Sequence, residues 1–193
     1  MRWILSSTRV TPMSSVLYIA EGEIEENFIK YLKEKSLILP GRFEKFNLMQ
    51  NTLKDTNRIL TNKVDKIFCI LDTDNTDTIF LERLQKNVKK LGEISKRKIY
   101  LLVQKEKFED ELKFILNTND LAVFFNLKNH SLADIKRHLA RNINYDKCIS
   151  KENLRLYCSH YQAFQNLLMA NKFPISRIEF VSGSACMRTK QKE

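Results

Sequence analysis

Three short runs of apolar residues stand out along the chain, over 15–20, 66–71 and 98–103. Runs of this kind are typical of parallel strands that are covered by helices on both faces. Between them, apolar residues recur at helical spacing over 28–37 and 79–91. Because strands and helices alternate with short connections, the pattern predicts an α/β fold with a mainly parallel sheet flanked by helices.

Weaker patterns predict further elements. Phe43, Phe46 and Leu48 indicate a short strand, and positions 53–60 indicate a helix. The long helix over 79–91 is expected to end near Gly92. Beyond the third strand the spacing is mostly helical. The elements predicted there are helices over 108–116, 132–142, 151–157 and 162–171 and a strand over 178–181.

The change in pattern divides the chain into four parts. We expect an N-terminal extension, an α/β core, a helical region packed on that core and a flexible tail. Their bounds are 1–13, 14–115, 116–181 and 182–193. The net charge of +10 is concentrated near the C-terminal end, where residues 128–193 hold 12 Lys and Arg against 5 Asp and Glu. The C-terminal helical part is therefore expected to be basic, which permits a polyanionic partner.

Composition narrows the class of protein. With 43% hydrophobic and 29% charged residues, the chain can bury an ordinary globular core. The longest apolar runs fall well short of the roughly 20 residues of a membrane span, so no membrane partner is expected. The four cysteines stand far apart without a CxxC pair, which argues against a zinc knuckle and a disulfide framework. We expect a cytoplasmic protein.

Acidic residues cluster where two predicted strands end. Residues 21–26 (EGEIEE) follow the first strand, and residues 72–77 (DTDNTD) follow the second. In open parallel sheets, functional groups gather beyond the carboxyl ends of the strands, so the two clusters are expected to face one another. Carboxylates so close repel each other unless a divalent cation neutralises them, and Mg²⁺ prefers oxygen ligands.

Each cluster alone also fits an ordinary structural role. Acidic residues are common in the first turn of a helix, and Asp and Asn are common in turns. We expect Gly22 to allow a tight turn after Glu21, and Glu25 to share a helix face with Glu21 if the helix begins at once. After the third strand, Glu106 and Glu109 lie three apart, in a site or in a solvated first turn. The joint placement of the clusters favours a metal site.

These features together resemble the TOPRIM domain, the catalytic fold of topoisomerases, primases, a small ribonuclease that matures 5S ribosomal RNA and the overcoming-lysogenization-defect (OLD) nucleases. The family pattern is a Glu-Gly after the first strand, matched by Glu21-Gly22, and an Asp-x-Asp after a later strand, matched by Asp72-Thr73-Asp74. The resemblance covers about 14–115 and implies a TOPRIM-like, Rossmann-like sheet.

The closer resemblance is to the OLD and RloB-like nucleases of bacterial defence loci. They carry an acidic residue four after the first Glu, matched by Glu25, and an aromatic-or-aliphatic–Glu step, matched by Phe108-Glu109. In place of the usual Ser-Asn-Pro before that step, this chain has residues 104–107 (QKEK), which leaves Glu106 and Glu109 as alternatives. These nucleases also use a lysine beyond the third strand, which the sequence does not identify.

The resemblance implies metal-assisted hydrolysis of phosphodiesters by a Mg²⁺- or Mn²⁺-dependent endonuclease. The implied catalytic residues are Glu21, Asp72 and Asp74, and Glu21 would also handle a proton. The implied metal ligands are Glu21, Glu25, Asp72 and Asp74, with Glu109 or Glu106 completing the set. The substrate would be DNA or RNA, with tRNA among the candidates.

If this holds, basic residues of the helical region are expected to contact the phosphate backbone. The candidates are Lys136, Arg137, Arg141, Lys147, Lys151 and Arg155. Residues that could stack on unpaired bases, or be ordinary helix surface or core, are His138, Tyr157, His160 and Tyr161.

The expected partners follow from the same resemblance. The chain has no Walker A sequence, so an ATPase of the kind often paired with such nucleases would be separate or absent. We expect an antiphage-defence or toxin effector controlled by a partner ATPase or inhibitor, with a homodimer as an open alternative. The competing hypothesis is a catalytically inert TOPRIM-like subunit that binds nucleic acid or regulates a partner.

Overall fold

The computed structural model describes most of the chain outside its two ends. The described residues are 15–60, 64–74, 76–104, 106–141, 145, 149, 161–170 and 178–180. Its strands are β1 Val16–Ala20, β2 Arg42–Lys45, β3 Val64–Leu71, β4 Ser95–Val103 and β5 Ile178–Phe180. Its helices are α1 Glu23–Glu34, α2 Thr78–Ile94, α3 Phe108–Leu116, α4 Leu121–Phe124, α5 Leu132–Leu139 and α6 Tyr161–Ala170, with a 3₁₀ turn at Arg58–Leu60.

The strands form one sheet in the order β2-β1-β3-β4-β5, and every neighbouring pair is parallel. Alternate residues of β1, β3 and β4 enter two separate cores, as Tyr18 and Leu17 of β1 illustrate. Helices α1, α3, α4 and α5 cover one face of the sheet, and α2 and α6 cover the other. The predicted α/β fold with a parallel sheet flanked by helices is confirmed.

Register between the strands is marked by three aromatic rings on one face. Tyr18 lies opposite Phe68, and Phe68 opposite Tyr100, in neighbouring strands. The ring centroids are 5.3 Å and 4.8 Å apart, and both pairs are stacked. All three side chains are buried, so these pairs help to set the register of β1, β3 and β4 relative to one another.

One predicted element is wrong. The expected helix over 53–60 is a loop that contains only the 3₁₀ turn at its end. The reason is that Leu53 directs its backbone N–H to the Asn87 side chain and its carbonyl oxygen to Lys90, both on α2. The long helix ends near Gly92 as expected, since α2 continues only to Ile94 and passes directly into β4.

The C-terminal region joins the core more closely than its helical pattern indicates. β5 pairs with β4 in the central sheet. The short helix α4, which the sequence pattern did not reveal, begins where the Asp120 carboxylate accepts the backbone N–H groups of Ala122 and Val123. The predicted extension over 1–13, the helix over 151–157 and the tail over 182–193 lie outside the described residues.

The order of the strands reverses between β1 and β3. The chain runs from β1 to β2 on one side and then returns to place β3 on the other side. In open parallel sheets, ligands bind beyond the carboxyl ends of the strands at such a reversal. Among the described helices, none is long and apolar enough to cross a membrane.

Candidate functional site

Five carboxylates meet beyond the carboxyl ends of β1 and β3, and we refer to them as the acidic cluster. They are Glu21 after β1, Glu25 in the first turn of α1, Asp72 and Asp74 after β3, and Glu109 in the first turn of α3. The other four all raise the pKa of Asp72 electrostatically. The structure therefore places these five predicted residues near one another at the reversal of strand order.

Asp72 is influenced by all four of the other carboxylates of the acidic cluster. Burial raises its pKa from an ordinary value near 3.8 to about 8, and Glu25, Glu21, Asp74 and Glu109 all add to the rise. Burial also raises the pKa of Glu25 to about 7, with further contributions from Glu21 and Glu109. At neutral pH this site therefore holds protons that a cation would displace.

Glu25 is buried against the start of its own helix. Its carboxylate bonds to its own backbone N–H, and this contact partly opposes the rise in its pKa. A Cβ atom on Gly22 would lie 2.6 Å from the Glu25 carboxylate oxygen Oε2. Gly22 has φ −122°, which any residue can adopt, so the expected tight turn is not the reason for glycine. Glycine instead leaves room for the Glu25 carboxylate.

Glu21 faces an open crevice on the α2 side of the sheet. The crevice is lined by Glu21, Asn47, Gln50, Asp72, Asp74 and Phe80, among others. Partial burial and the nearby Asp74 raise the pKa of Glu21, whereas the Lys136 ammonium lowers it. Glu21 precedes α1, which begins at Glu23, so the condition for Glu21 and Glu25 to share one helix face is not met.

Glu109 and Glu106 differ in how far their side chains are buried. The Glu109 side chain is buried in the first turn of α3 and contributes to the raised pKa of Asp72 and of Glu25. Glu106 is exposed, with φ 57°, and its backbone exchanges hydrogen bonds with Thr73. Thr73 also donates its hydroxyl to the Gln104 carbonyl oxygen, at 2.9 Å. Glu106 thus ties the loops after β3 and β4 together, and Glu109 belongs to the acidic cluster.

Lys136 of α5 is the one described cation that the structure ties to the acidic cluster by an ion pair. Its Nζ lies 3.5 Å from the Glu109 carboxylate oxygen Oε1. α5 is held there by buried Leu139 and by Asn27 of α1, whose side chain donates to the Ala140 carbonyl oxygen at 2.7 Å. The sequence analysis missed this role because it depends on where α5 packs, which no local pattern encodes.

The other basic candidates divide into described and undescribed residues. Arg137 pairs with Asp134 on the exposed side of α5, at 2.6 Å, and Arg141 is exposed just beyond the helix. The His138 ring packs against Phe125, with 5.0 Å between ring centroids, so part of its surface is already used within the protein. The candidates Lys147, Lys151, Arg155, Tyr157 and His160 lie outside the described residues, as does the side chain of Tyr161.

Gln104 is a second residue that the sequence analysis missed. It follows β4, and its backbone N–H continues the ladder to the Leu71 carbonyl oxygen. Its side chain is fully buried, and within the described ranges neither amide atom has a hydrogen-bond partner. Because side chains alternate along a strand, Gln104 lies on the face of Leu102, towards α1 and α3. A buried amide without a partner usually marks a water, an ion or a functional role.

The donor set suits a hard divalent cation. Its carboxylate oxygens are the hard oxygen ligands that Mg²⁺ and Mn²⁺ favour. In the conformation described, however, no three His, Cys, Asp or Glu side chains of the described residues form a closed metal-ligating group. The carboxylates stand close enough to repel each other and would need to draw together around a cation.

Comparison of the chain with protein-family models, with curated proteins and with solved structures finds no match. The interpretation of this site therefore depends on its own geometry and on the resemblance of its motifs.

Proposed function

We propose that this chain is a divalent-metal-dependent nuclease of the TOPRIM type that hydrolyses phosphodiester bonds in DNA or RNA. The observation that carries the proposal is the convergence of five carboxylates at the strand-order reversal, where repulsion and burial raise the pKa of Asp72 to about 8. A divalent cation bound among these carboxylates would offset their mutual repulsion.

The acidic cluster supplies the ligands in this proposal. Glu21, Asp72 and Asp74 border the crevice, and buried Glu25 and Glu109 lie in the first turns of α1 and α3. A bound Mg²⁺ or Mn²⁺ would activate a water and stabilise charge on the attacking and leaving oxygens. Glu21, which is exposed at the crevice, accepts the proton from the attacking water.

Lys136 serves the same reaction from α5. Its side chain is half exposed although its ammonium contacts buried Glu109, so it reaches both the acidic cluster and solvent. In that position it attracts the phosphate that approaches the carboxylates. Control by a separate ATPase or inhibitor in bacterial defence is part of the same proposal and follows from the resemblance of the motifs.

The test is metal-dependent cleavage of plasmid DNA and of a tRNA pool by the wild type and by Glu21→Gln and Asp72→Asn. Each substitution removes one ligand charge, so we expect cleavage to fall by more than the roughly 10–100-fold that changes to outer-shell residues cause. Glu23→Gln is the matched control because it removes an exposed charge from the first turn of α1. It should cleave like the wild type.

Full activity in Glu21→Gln and Asp72→Asn would contradict this site. One observation favours the alternative of an inert binding or regulatory subunit: the described side chains do not form a closed metal-ligating group. Retained nucleic-acid binding with no cleavage of either substrate, at any tested concentration of Mg²⁺ or Mn²⁺, would support that alternative.

A further inference from the structure

Asn47 connects the acidic cluster to the loop after β2. Its side-chain nitrogen Nδ2 donates a hydrogen bond to Glu21 Oε2. Its oxygen Oδ1 accepts the backbone N–H groups of Met49 at 3.0 Å and Gln50 at 2.8 Å. The two ends of one amide thus have different tasks, because the oxygen stabilises a turn and the nitrogen holds Glu21.

The loop over 47–53 is itself held by α2. Arg83, Asn87 and Lys90 are spaced i, i+4 and i+7, so they lie on one face of that helix. Their side chains donate hydrogen bonds to five backbone carbonyl oxygens of the loop, over distances of 2.7–3.1 Å. The accepting residues are Leu48, Met49, Gln50, Asn51 and Leu53.

Asn87 shows that this anchoring is specific. It is fully buried, and its amide donates to Leu48 and Asn51 and accepts the backbone N–H of Leu53 at 2.8 Å. A buried amide is costly unless its hydrogen bonds are satisfied, and here backbone groups of the loop satisfy them. Because α2 is the next helix after β3 and begins at Thr78, this contact links the loop to the segment that carries Asp72 and Asp74.

We propose that Asn47 is a positioning residue that holds Glu21 against the repulsion of the acidic cluster, on a loop that α2 keeps in place. The inference rests on the proposed nuclease function and assigns a residue that the motifs do not include. Glu21 is exposed and lies near Asp74, so without Asn47 its carboxylate would turn away into solvent. Holding it in the crevice prearranges the site for a cation and a substrate.

The test is Asn47→Ser. A serine hydroxyl can still accept N–H groups in the turn but is too short to reach Glu21. We expect the catalytic rate constant and the calorimetric affinity for Mn²⁺ each to fall by roughly 10–100-fold. The KM for nucleic acid and the melting temperature should remain close to those of the wild type. Asn51→Ser is the matched control, since it changes an exposed asparagine side chain of the same loop and should have no effect.

Crystal structures of the metal-free wild type and Asn47→Ser add a readout that does not need activity. Displacement of the Glu21 carboxylate, with the backbone of the loop unchanged, supports the inference. A Glu21 carboxylate that keeps its place without Asn47, or an unchanged rate and Mn²⁺ affinity in an active protein, overturns it. A wild type that neither binds Mn²⁺ nor cleaves nucleic acid instead overturns the proposed function, and the inference with it.

Discussion

At Asp72, four other carboxylates act on one side chain, and this has a consequence for stability. Its carboxyl group keeps a proton in the folded protein up to about pH 8, whereas an ordinary aspartate loses it near 3.8. Between these values the folded state binds a proton that the unfolded state does not. The free energy of unfolding of the metal-free protein must therefore fall as the pH rises through this interval.

Asp72→Asn should remove that loss. The asparagine is neutral at every pH, so we expect the metal-free variant to be more stable than the wild type at pH 8, by roughly 2 kcal/mol or more, and similar near pH 4. Urea unfolding at both pH values measures the difference. In Glu23→Gln, which lacks an exposed acidic side chain, the change between the two pH values should match the wild type. Equal stability of Asp72→Asn and wild type at pH 8 would contradict the strained arrangement.

Single residues of the site differ in how far the sequence reveals them. Glu21 and Asp72 could be predicted because they directly follow apolar strands, and strand ends on one sheet edge meet whatever the loops do. Choosing Glu109 over Glu106 required burial, which depends on how α3 packs. Asn47 gave no signal, because its partner Glu21 is 26 residues away along the chain and follows the neighbouring strand β1.

At the scale of elements, α5 presents two neighbouring cations in different surroundings. Lys136 pairs with buried Glu109, whereas Arg137 pairs with Asp134 of its own helix. Consecutive side chains point about 100° apart on a helix, since there are 3.6 residues per turn. The sequence analysis placed both residues in one nucleic-acid-binding set, and the structure gives only Lys136 a contact with the acidic cluster.

The two substitutions Lys136→Gln and Arg137→Gln should therefore have unequal effects. We expect Lys136→Gln to lower the rate of cleavage by roughly 10–100-fold, as for other groups that contact a ligand of the site. Arg137→Gln should change it by no more than about 3-fold, because exposed ion pairs contribute little. Cleavage measured at saturating substrate separates this effect from binding. Equal losses in both variants would mean that α5 contributes only general positive charge.

The elements themselves were predictable to different degrees. β1, β3, α2 and α3 follow from local periodicity, and the structure places each within a few residues of its predicted bounds. The loop that replaces the predicted helix over 53–60 was not predictable, because its backbone groups bond to Asn87 and Lys90 of a later helix. Long-range hydrogen bonds overrode a local pattern that fits a helix equally well.

At the scale of the whole molecule, charge and topology act together. The chain has a net charge of +10, but negatively charged carboxylates gather at the reversal of strand order. The sheet brings them together by placing β1 beside β3, and α1 and α3 add one buried glutamate each from their first turns. Folding therefore creates the repulsion, and a bound cation would relieve it.

This coupling predicts that metal binding stabilises the whole fold in a pH-dependent way. A cation that binds only the folded state at 100 times its dissociation constant adds about 2.7 kcal/mol, or a rise of about 5–10 °C in the melting temperature of a chain this size. At pH 6, Asp72 and Glu25 still hold protons that the cation must displace, because their pKa values are raised to about 8 and about 7. We therefore expect Mn²⁺ to raise the melting temperature more at pH 8 than at pH 6.

Thermal unfolding with and without Mn²⁺ at both pH values measures this, and Asp72→Asn should reduce both the rise and its pH dependence. An equal rise at both pH values, or one that Asp72→Asn leaves intact, would place the cation elsewhere on the protein.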